Sequence, residues 1–367
     1  MKSTQISFFS FFSLFGLFLR WFTNAHQVPN SGQILTERAN IAFTINQAEY
    51  LNGANVNHWM LTVSQICEKL AEFQTSQKRN TTDYRDTINL FLHVSENKRK
   101  FIKFRNKEFA IRNRLKNSPF VRLTIRALSE LYEVHFHFRG SKKIFRHMTK
   151  VFQYDVYASM GVDRSYACMN RLAHQILELC DCRNSSLVNS GSKGVPNVIL
   201  VYNRKETREF EAGTISRLRT VLDAKFTEKN KSQYKIYNMY VPTKDPCRQF
   251  CIVSKSYKAI ITPHGAQMAT IFASSPVTDI FEIIPPQYQT NGFNNYLRLS
   301  IPNRWYVVQE DKLIPCKSGS IDECYGELSE SVLNCSQNRI CQHRARSFPT
   351  LNLTEEALEK ITELILS

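Results

Sequence analysis

The chain contains no Asp-x-Asp triplet, no Gly-x-Gly-x-x-Gly after any strand-like run, and no Cys-x-x-Cys in its cysteine-rich tail. Divalent metals are gripped by clustered carboxylates, so the first absence favours chemistry without a bound metal. The second argues against a dinucleotide-dependent oxidoreductase. The third weighs against a zinc site built from Cys316, Cys324, Cys335 and Cys341, and one or two local disulfides are the expectation instead. After residue 26 no stretch is long and apolar enough to span a bilayer. Acid is also scarce: 32 Asp and Glu against 48 Lys and Arg leave a net charge of +16. Such a chain attracts anions, whether nucleotide diphosphates, anionic glycans or nucleic acid. The basic residues gather partly at 97–115 and 139–150, where a solvated basic face is the plain structural reading.

Its 367 residues suit one large or two ordinary domains. A hydrophobic content of 43% with 22% charged residues permits a sizeable core and does not indicate disorder. Residues 1–26 read as a targeting segment. Lys2 precedes the apolar run 6–19, Arg20 ends it, and Thr23-Asn24-Ala25 offers small residues for cleavage. A cleaved signal peptide is expected, with a short membrane anchor as the alternative. Ten cysteines and five N-x-[ST] sequons, at Asn80, Asn184, Asn230, Asn334 and Asn352, fit an oxidising, glycosylating lumen. That address, the Golgi or endoplasmic reticulum lumen or the exterior, argues against nucleic acid as partner. The C-terminal Ile365-Leu366-Ser367 is not a KDEL-type retention signal.

In the first half, Trp59, Val63, Ile66, Leu70 and Phe73 form one face of a helix, and Val121, Ile125, Leu128 and Leu131 another. Between 133 and 139 apolar Val134, Phe136 and Phe138 alternate with His135 and His137, a half-buried strand pattern. The stretch 183–195 is rich in Ser, Asn and Gly and reads as an exposed linker. The second half is more regular. Strand-like runs at 198–202, 234–241, 259–262 and 277–284 alternate with helical patterns at 215–226, 247–257 and from 266, which implies a parallel, doubly wound α/β sheet. A last helix is expected within 353–366, capped by Thr354 with Leu358 and Ile361 inward. The expected organisation is a signal or anchor at 1–26, an N-terminal α/β domain at 27–190, a Rossmann-like domain at 191–310 and a Cys-rich tail at 311–367.

Ligands of doubly wound sheets bind beyond the carboxyl ends of the strands. There the segment 259–273 gives a strand, the turn Pro263-His264-Gly265 and a helix opening at Ala266. Gly265 lets the backbone approach a ligand, the helix tip presents unpaired N–H groups to a diphosphate, and His264 adds a hydrogen bond. Arg204 and Arg208 follow the strand 198–202 and can fork onto phosphate oxygens. Glu282, inside an apolar strand, needs a partner, either a ribose hydroxyl or a structural Arg. A general base is harder to place. His58 titrates near neutrality at a helix start, and Asp155 and Asp163 are weaker candidates. The pair His135 and His137 lacks a third metal ligand.

In order, NVILVYNRKETREF and AIITPHGAQMATIFASSPVTDIFEIIP resemble the C-terminal signature of glycosyltransferase family 61. That family pattern is a strand ending in Arg-x-x-x-Arg (Arg204, Arg208), a His-Gly-Ala turn (His264, Gly265, Ala266) and a strand ending in Glu-Ile (Glu282, Ile283). Asn57-His58-Trp59 is similar to its N-terminal His-Trp element. The resemblance spans about residues 50–310, most specifically 197–310. Gln267 and Ala273-Ser274-Ser275-Pro276 depart from it, so the loop lining the sugar differs. The resemblance implies a GT-B-like fold, with two Rossmann-like domains whose parallel sheets face a cleft. It further implies an inverting, metal-independent transferase with no cofactor. Such an enzyme moves GlcNAc or xylose from a UDP-sugar donor to a hydroxyl of a glycoprotein or polysaccharide acceptor, with His58 as candidate base. The alternative is a non-catalytic secreted protein that binds anionic glycans through the +16 charge.

Overall fold

Short runs of β-branched and aromatic residues become strands, and amphipathic stretches between them become helices. The computed structural model describes residues 40–44, 56–76, 86–91, 117–137, 148–153, 162–182, 197–205, 207–229, 234–288, 301–310, 312–316 and 330–367. The expected signal segment, the basic run 97–115 and the linker 183–195 lie outside them. Among the described residues no helix is long and apolar enough to cross a membrane.

Two mostly parallel sheets result. The N-terminal one has the order β3-β2-β1-β4, from β1 (Asn40–Thr44), β2 (Thr87–Phe91), β3 (Glu133–His137) and β4 (Lys150–Gln153), all parallel. Alternation sorts its faces: Ile41, Phe43, Ile88, Leu90, Val134 and Phe152 enter the core, whereas His135 and His137 share the other face. Helices α1 (Val56–Ser76), α2 (Pro119–Leu131) and α3 (Val162–Leu179) pack into the same core. Ser118 caps α2 by accepting from the Val121 N–H at 3.4 Å, with Pro119 in the first turn. The Trp59 indole donates to Thr124 Oγ1 at 2.6 Å, tying α1 to α2, and Cys67–Cys168 ties α1 to α3.

The second sheet contains β5 (Val198–Asn203), β7 (Lys235–Tyr240), β8 (Ala259–Pro263), β9 (Asp279–Ile284), β10 (Trp305–Gln309) and β11 (Lys312–Cys316) in the order β11-β10-β9-β8-β5-β7. Only β10–β11 is antiparallel. Every residue of β8 and β9 is buried, as expected of strands covered on both faces. Helices α4 (Ala212–Lys229) and α8 (Glu355–Leu366) share a core with one face, including Ile199, Val201, Ile261, Phe281 and Val308. Thr354 does cap α8, accepting from Ala357 N at 3.2 Å, with Leu358 and Ile361 buried. The 247–257 helix proves shorter: α5 (Pro246–Val253) begins at the cap Asp245 and stops before Tyr257.

The opposite face, including Leu200, Ile260, Ile280 and Trp305, belongs to the core that also holds α1, α2, α3 and the N-terminal sheet. Phe120 of α2 stacks on Phe250 of α5 at 5.3 Å, and Phe250 meets Phe272 edge-on at 5.5 Å. Cys180–Cys247 and Cys182–Cys251 fasten the end of α3 to α5. Two disulfides and one apolar cluster therefore cross the segment read as a linker. The tail is bound in as well. Its first residues form β11, Cys335–Cys341 joins α6 (Glu330–Ser336) to α7 (Arg339–Arg346), and β12 (Thr350–Leu351) pairs with β6 (Glu209–Phe210). Disulfides of this kind fit a secretory or extracellular compartment. Asn334 and Asn352 are exposed, as glycan attachment requires.

Candidate functional site

The chain runs from β5 outward to β7 and then returns to β8 on the other side of β5. That reversal is a topological switch point between the carboxyl ends of β5 and β8, where open α/β sheets have the crevice that takes ligands. Asn203 ends β5 and Pro263 ends β8, so the loops carrying Arg204, Arg208, His264 and Gly265 all open there.

On the β5 side, Asn203 organises the loop. Its buried Oδ1 accepts from Arg204 N at 2.8 Å and from Phe210 N at 3.0 Å, tying the end of β5 to both ends of the loop that follows it. Arg208 has φ of 56°, a left-handed backbone uncommon outside glycine. Its N–H donates to Phe348 O at 2.7 Å and its Nη1 to His264 O at 2.6 Å, so the loop after β5 grips the loop after β8. Arg204 Nη2 has a long bond to Thr207 Oγ1 at 3.4 Å. Its Nη1 lies over Gly265, where an added Cβ would overlap both that nitrogen and Gln267 Oε1. Gly265 is extended, so the glycine is required by space for a guanidinium and not by an unusual torsion.

The β8 side is equally determined. Thr262 Oγ1 donates to Tyr202 O at 2.9 Å, and His264 N to Ile283 O at 2.8 Å. The His264 ring, 6% exposed, donates Nδ1–H to Glu282 Oε1 at 2.5 Å; the second carboxylate oxygen accepts from Trp305 Nε1 at 3.1 Å. From the sequence Glu282 is expected to meet a ribose or an arginine; in the fold it is fully buried and holds a histidine and an indole. The helix expected from Ala266 is present as a 3-10 helix, Ala266–Ala273, with Ala266 itself exposed. In its first turn the Ala266 and Gln267 N–H groups have no intrahelical acceptor. Gln267, the departure from the family pattern, turns its amide back onto Pro263 O and Thr262 Oγ1. Helices α1, α3 and α5 pack against this 3-10 helix.

The electrostatics are one-sided. Burial, then the charge of Arg346, lowers the Arg204 pKa. Burial, then Arg204, pushes Arg208 down to about 10, with Arg346 adding to the fall and Tyr288 opposing it. No described carboxylate pairs with either. Among the described residues Arg204 Nη1 and Arg208 Nε are buried donors without an acceptor. Buried guanidinium groups without a counter-ion are costly, and an anion in the crevice would relieve that cost.

The structure thus brings together Arg204, Arg208, His264, Gly265 and Ala266. His58 falls in the first turn of α1, but its side chain, like those of Asp155 and Asp163, lies outside the described residues. His135 and His137 have ring centroids 6.4 Å apart and bind Glu133 Oε1 and Asn89 Oδ1 respectively. No group of three metal-binding side chains occurs among the described residues. Sequence reasoning missed Asn203, Tyr288 and Arg346. Asn203, an amide closing an apolar strand run, was findable. Tyr288, whose ring centroid is 5.5 Å from that of His264, and Arg346 carry no local signal. No protein-family model matches this chain, and no curated protein matches it.

Proposed function

We propose that this crevice binds the diphosphate of a nucleotide sugar, and that the protein is a glycosyltransferase of the secretory pathway. The observation that carries this reading is the pair of buried, acceptor-less guanidinium nitrogens, Arg204 Nη1 and Arg208 Nε, at the β5–β8 switch point. A leaving diphosphate accumulates negative charge on oxygens that fixed donors stabilise without reorganising. Arg204, Arg208 and the first N–H groups of the 3-10 helix are such donors. In this reading the donor is a UDP-sugar, GlcNAc or xylose, and the acceptor a hydroxyl of a glycoprotein or polysaccharide. The two parallel sheets belong to a GT-B-like pair, and His58 on α1 is the candidate base for inverting displacement. The rival, a non-catalytic binder of anionic glycans, is supported by the +16 charge but explains the buried nitrogens less well. Arg208 is only 9% exposed, and a polymer would meet surface charges first.

Calorimetric titration of UDP into the glycosylated, disulfide-intact protein tests the reading. Binding at micromolar to low millimolar UDP is expected. Gly265→Ala, which displaces the Arg204 guanidinium, should weaken it by about tenfold. Retention on heparin without UDP binding at millimolar concentration would favour the rival and overturn the transferase.

A further inference from the structure

We propose that the C-terminal tail completes the anion site: α7 lies as a strap across the crevice and presents Arg346 as a third phosphate ligand, so that the site prefers diphosphates to monophosphates. The proposal rests on the nucleotide reading above and adds to it a residue and a selectivity.

The strap is held on both banks. On one, Gln342 Nε2 donates to Gln287 O at 3.0 Å, in the loop after β9. On the other, Phe348 O accepts from Arg208 N at 2.7 Å, Pro349 O from Glu209 N at 3.1 Å, and Leu351 O from Glu211 N at 3.0 Å. In the sheet β8 stands between β9 and β5. A segment anchored beyond both neighbours therefore passes over the end of β8, where His264 and Gly265 lie. The dimensions agree. Two strand spacings are about 10 Å, and the six steps from Gln342 to Phe348 rise about 9 Å if helical.

Arg346 sits two residues before Phe348, whose carbonyl holds the Arg208 backbone. Its charge depresses the pKa of both Arg204 and Arg208, in keeping with a backbone held this close to theirs. No acid occurs in α7, and its last turn contains His343, Arg344 and Arg346. Both anchor points are also conformationally unusual. Arg208 and Gln287 have φ of 56° and 59°, left-handed values that surrounding structure must enforce. The bridge Cys335–Cys341 and the cap Asn338, accepting from Ile340 N at 2.9 Å and Cys341 N at 3.1 Å, fix where α7 begins. Two arginines from the β5 loop suffice for one phosphate. A third, arriving from outside, matches the additional phosphate and charge of a nucleoside diphosphate.

The test is calorimetric titration of UDP, UMP and inorganic pyrophosphate into the full chain, its Arg346→Ala variant and its Arg344→Ala variant. Arg344→Ala removes the same charge from the same helix. Arg346→Ala should weaken UDP and pyrophosphate by about ten- to hundredfold and UMP by less than about threefold, narrowing the UDP preference. Arg344→Ala should leave the UDP-to-UMP ratio unchanged. Arg346 is exposed, so ligand-free melting should be unaltered in both variants. Unchanged UDP affinity in Arg346→Ala, or equal losses for UDP and UMP, overturns the strap proposal and leaves the nucleotide reading intact. Failure of the unaltered protein to bind UDP or pyrophosphate removes both.

Discussion

Arg208 is expected to cost the empty protein stability and to supply it when a diphosphate is bound, which makes Arg208→Met a sharp test. The guanidinium falls from its ordinary value to about 10, through burial first and Arg204 next. That fall corresponds to roughly 3 kcal/mol against the charged form. Because the folded pKa is the depressed one, the penalty applies in full below about pH 10 and is relieved only as pH rises from there toward the ordinary guanidinium value. An assay at pH 7 reads all of it. Against it stands the bond from Nη1 to His264 O at 2.6 Å, charge-assisted and contributing about 1.5–3 kcal/mol. The two terms nearly cancel, so the ligand-free variant should remain within about 1.5 kcal/mol of the parent. With UDP at a hundred times its Kd, the parent should gain about 2.7 kcal/mol. A Kd raised ten- to hundredfold leaves the variant about 0.4–1.4 kcal/mol at the same concentration. Urea denaturation with and without UDP measures all four states. A variant that loses more than about 3 kcal/mol when empty, yet keeps the full UDP increment, would show Arg208 to be a structural clamp and refute the anion argument.

Three further outcomes are expected. Glu282→Leu should destabilise by about 2–4 kcal/mol, because it strips acceptors from the buried His264 and Trp305 donors; unchanged stability with lost UDP binding would restore the ribose role first read from the sequence. Replacing Cys67 and Cys168 together by serine releases a cross-link of sequence separation 101 and should lower urea stability by about 2–5 kcal/mol, unless residual unfolded structure already holds the ends together. Burial, then His135, lowers the His137 pKa below 6.5, so the folded state resists protonation and stability should decline as pH falls through about 6.5. His137→Gln should flatten that slope between pH 7.5 and 5.5, and an unaltered slope would assign it elsewhere.

The local elements were legible because each is encoded within a few residues. The run 198–202 had to be a strand buried on both sides, the alternation over 133–139 a half-exposed one, and Thr354 a helix cap. The placing of Arg204, Arg208 and His264 in one crevice also followed from sequence, since strand ends of a parallel sheet share an edge. The hairpin of β10 and β11 was not read from sequence, and β11 lies in a segment assigned to the tail. The apolar run Trp305–Val308 is short, and its neighbours β9 and β11 make it a strand.

What lay beyond sequence depended on contacts between distant segments. Ten cysteines announced an oxidising compartment but not that Cys180 and Cys182 would reach Cys247 and Cys251. Glu282 announced a need for a partner, and tertiary packing chose His264 and Trp305. Nothing local distinguishes Arg346 from the other exposed basic residues of its helix; the bonds of Gln342 to Gln287 and of Phe348 to Arg208, with the pairing of β12 and β6, carry it to the crevice. Periodicity and capping act between neighbours in the chain and so can be read from it. Burial and charge balance are sums over whatever the fold brings near, and only the folded chain sets those terms.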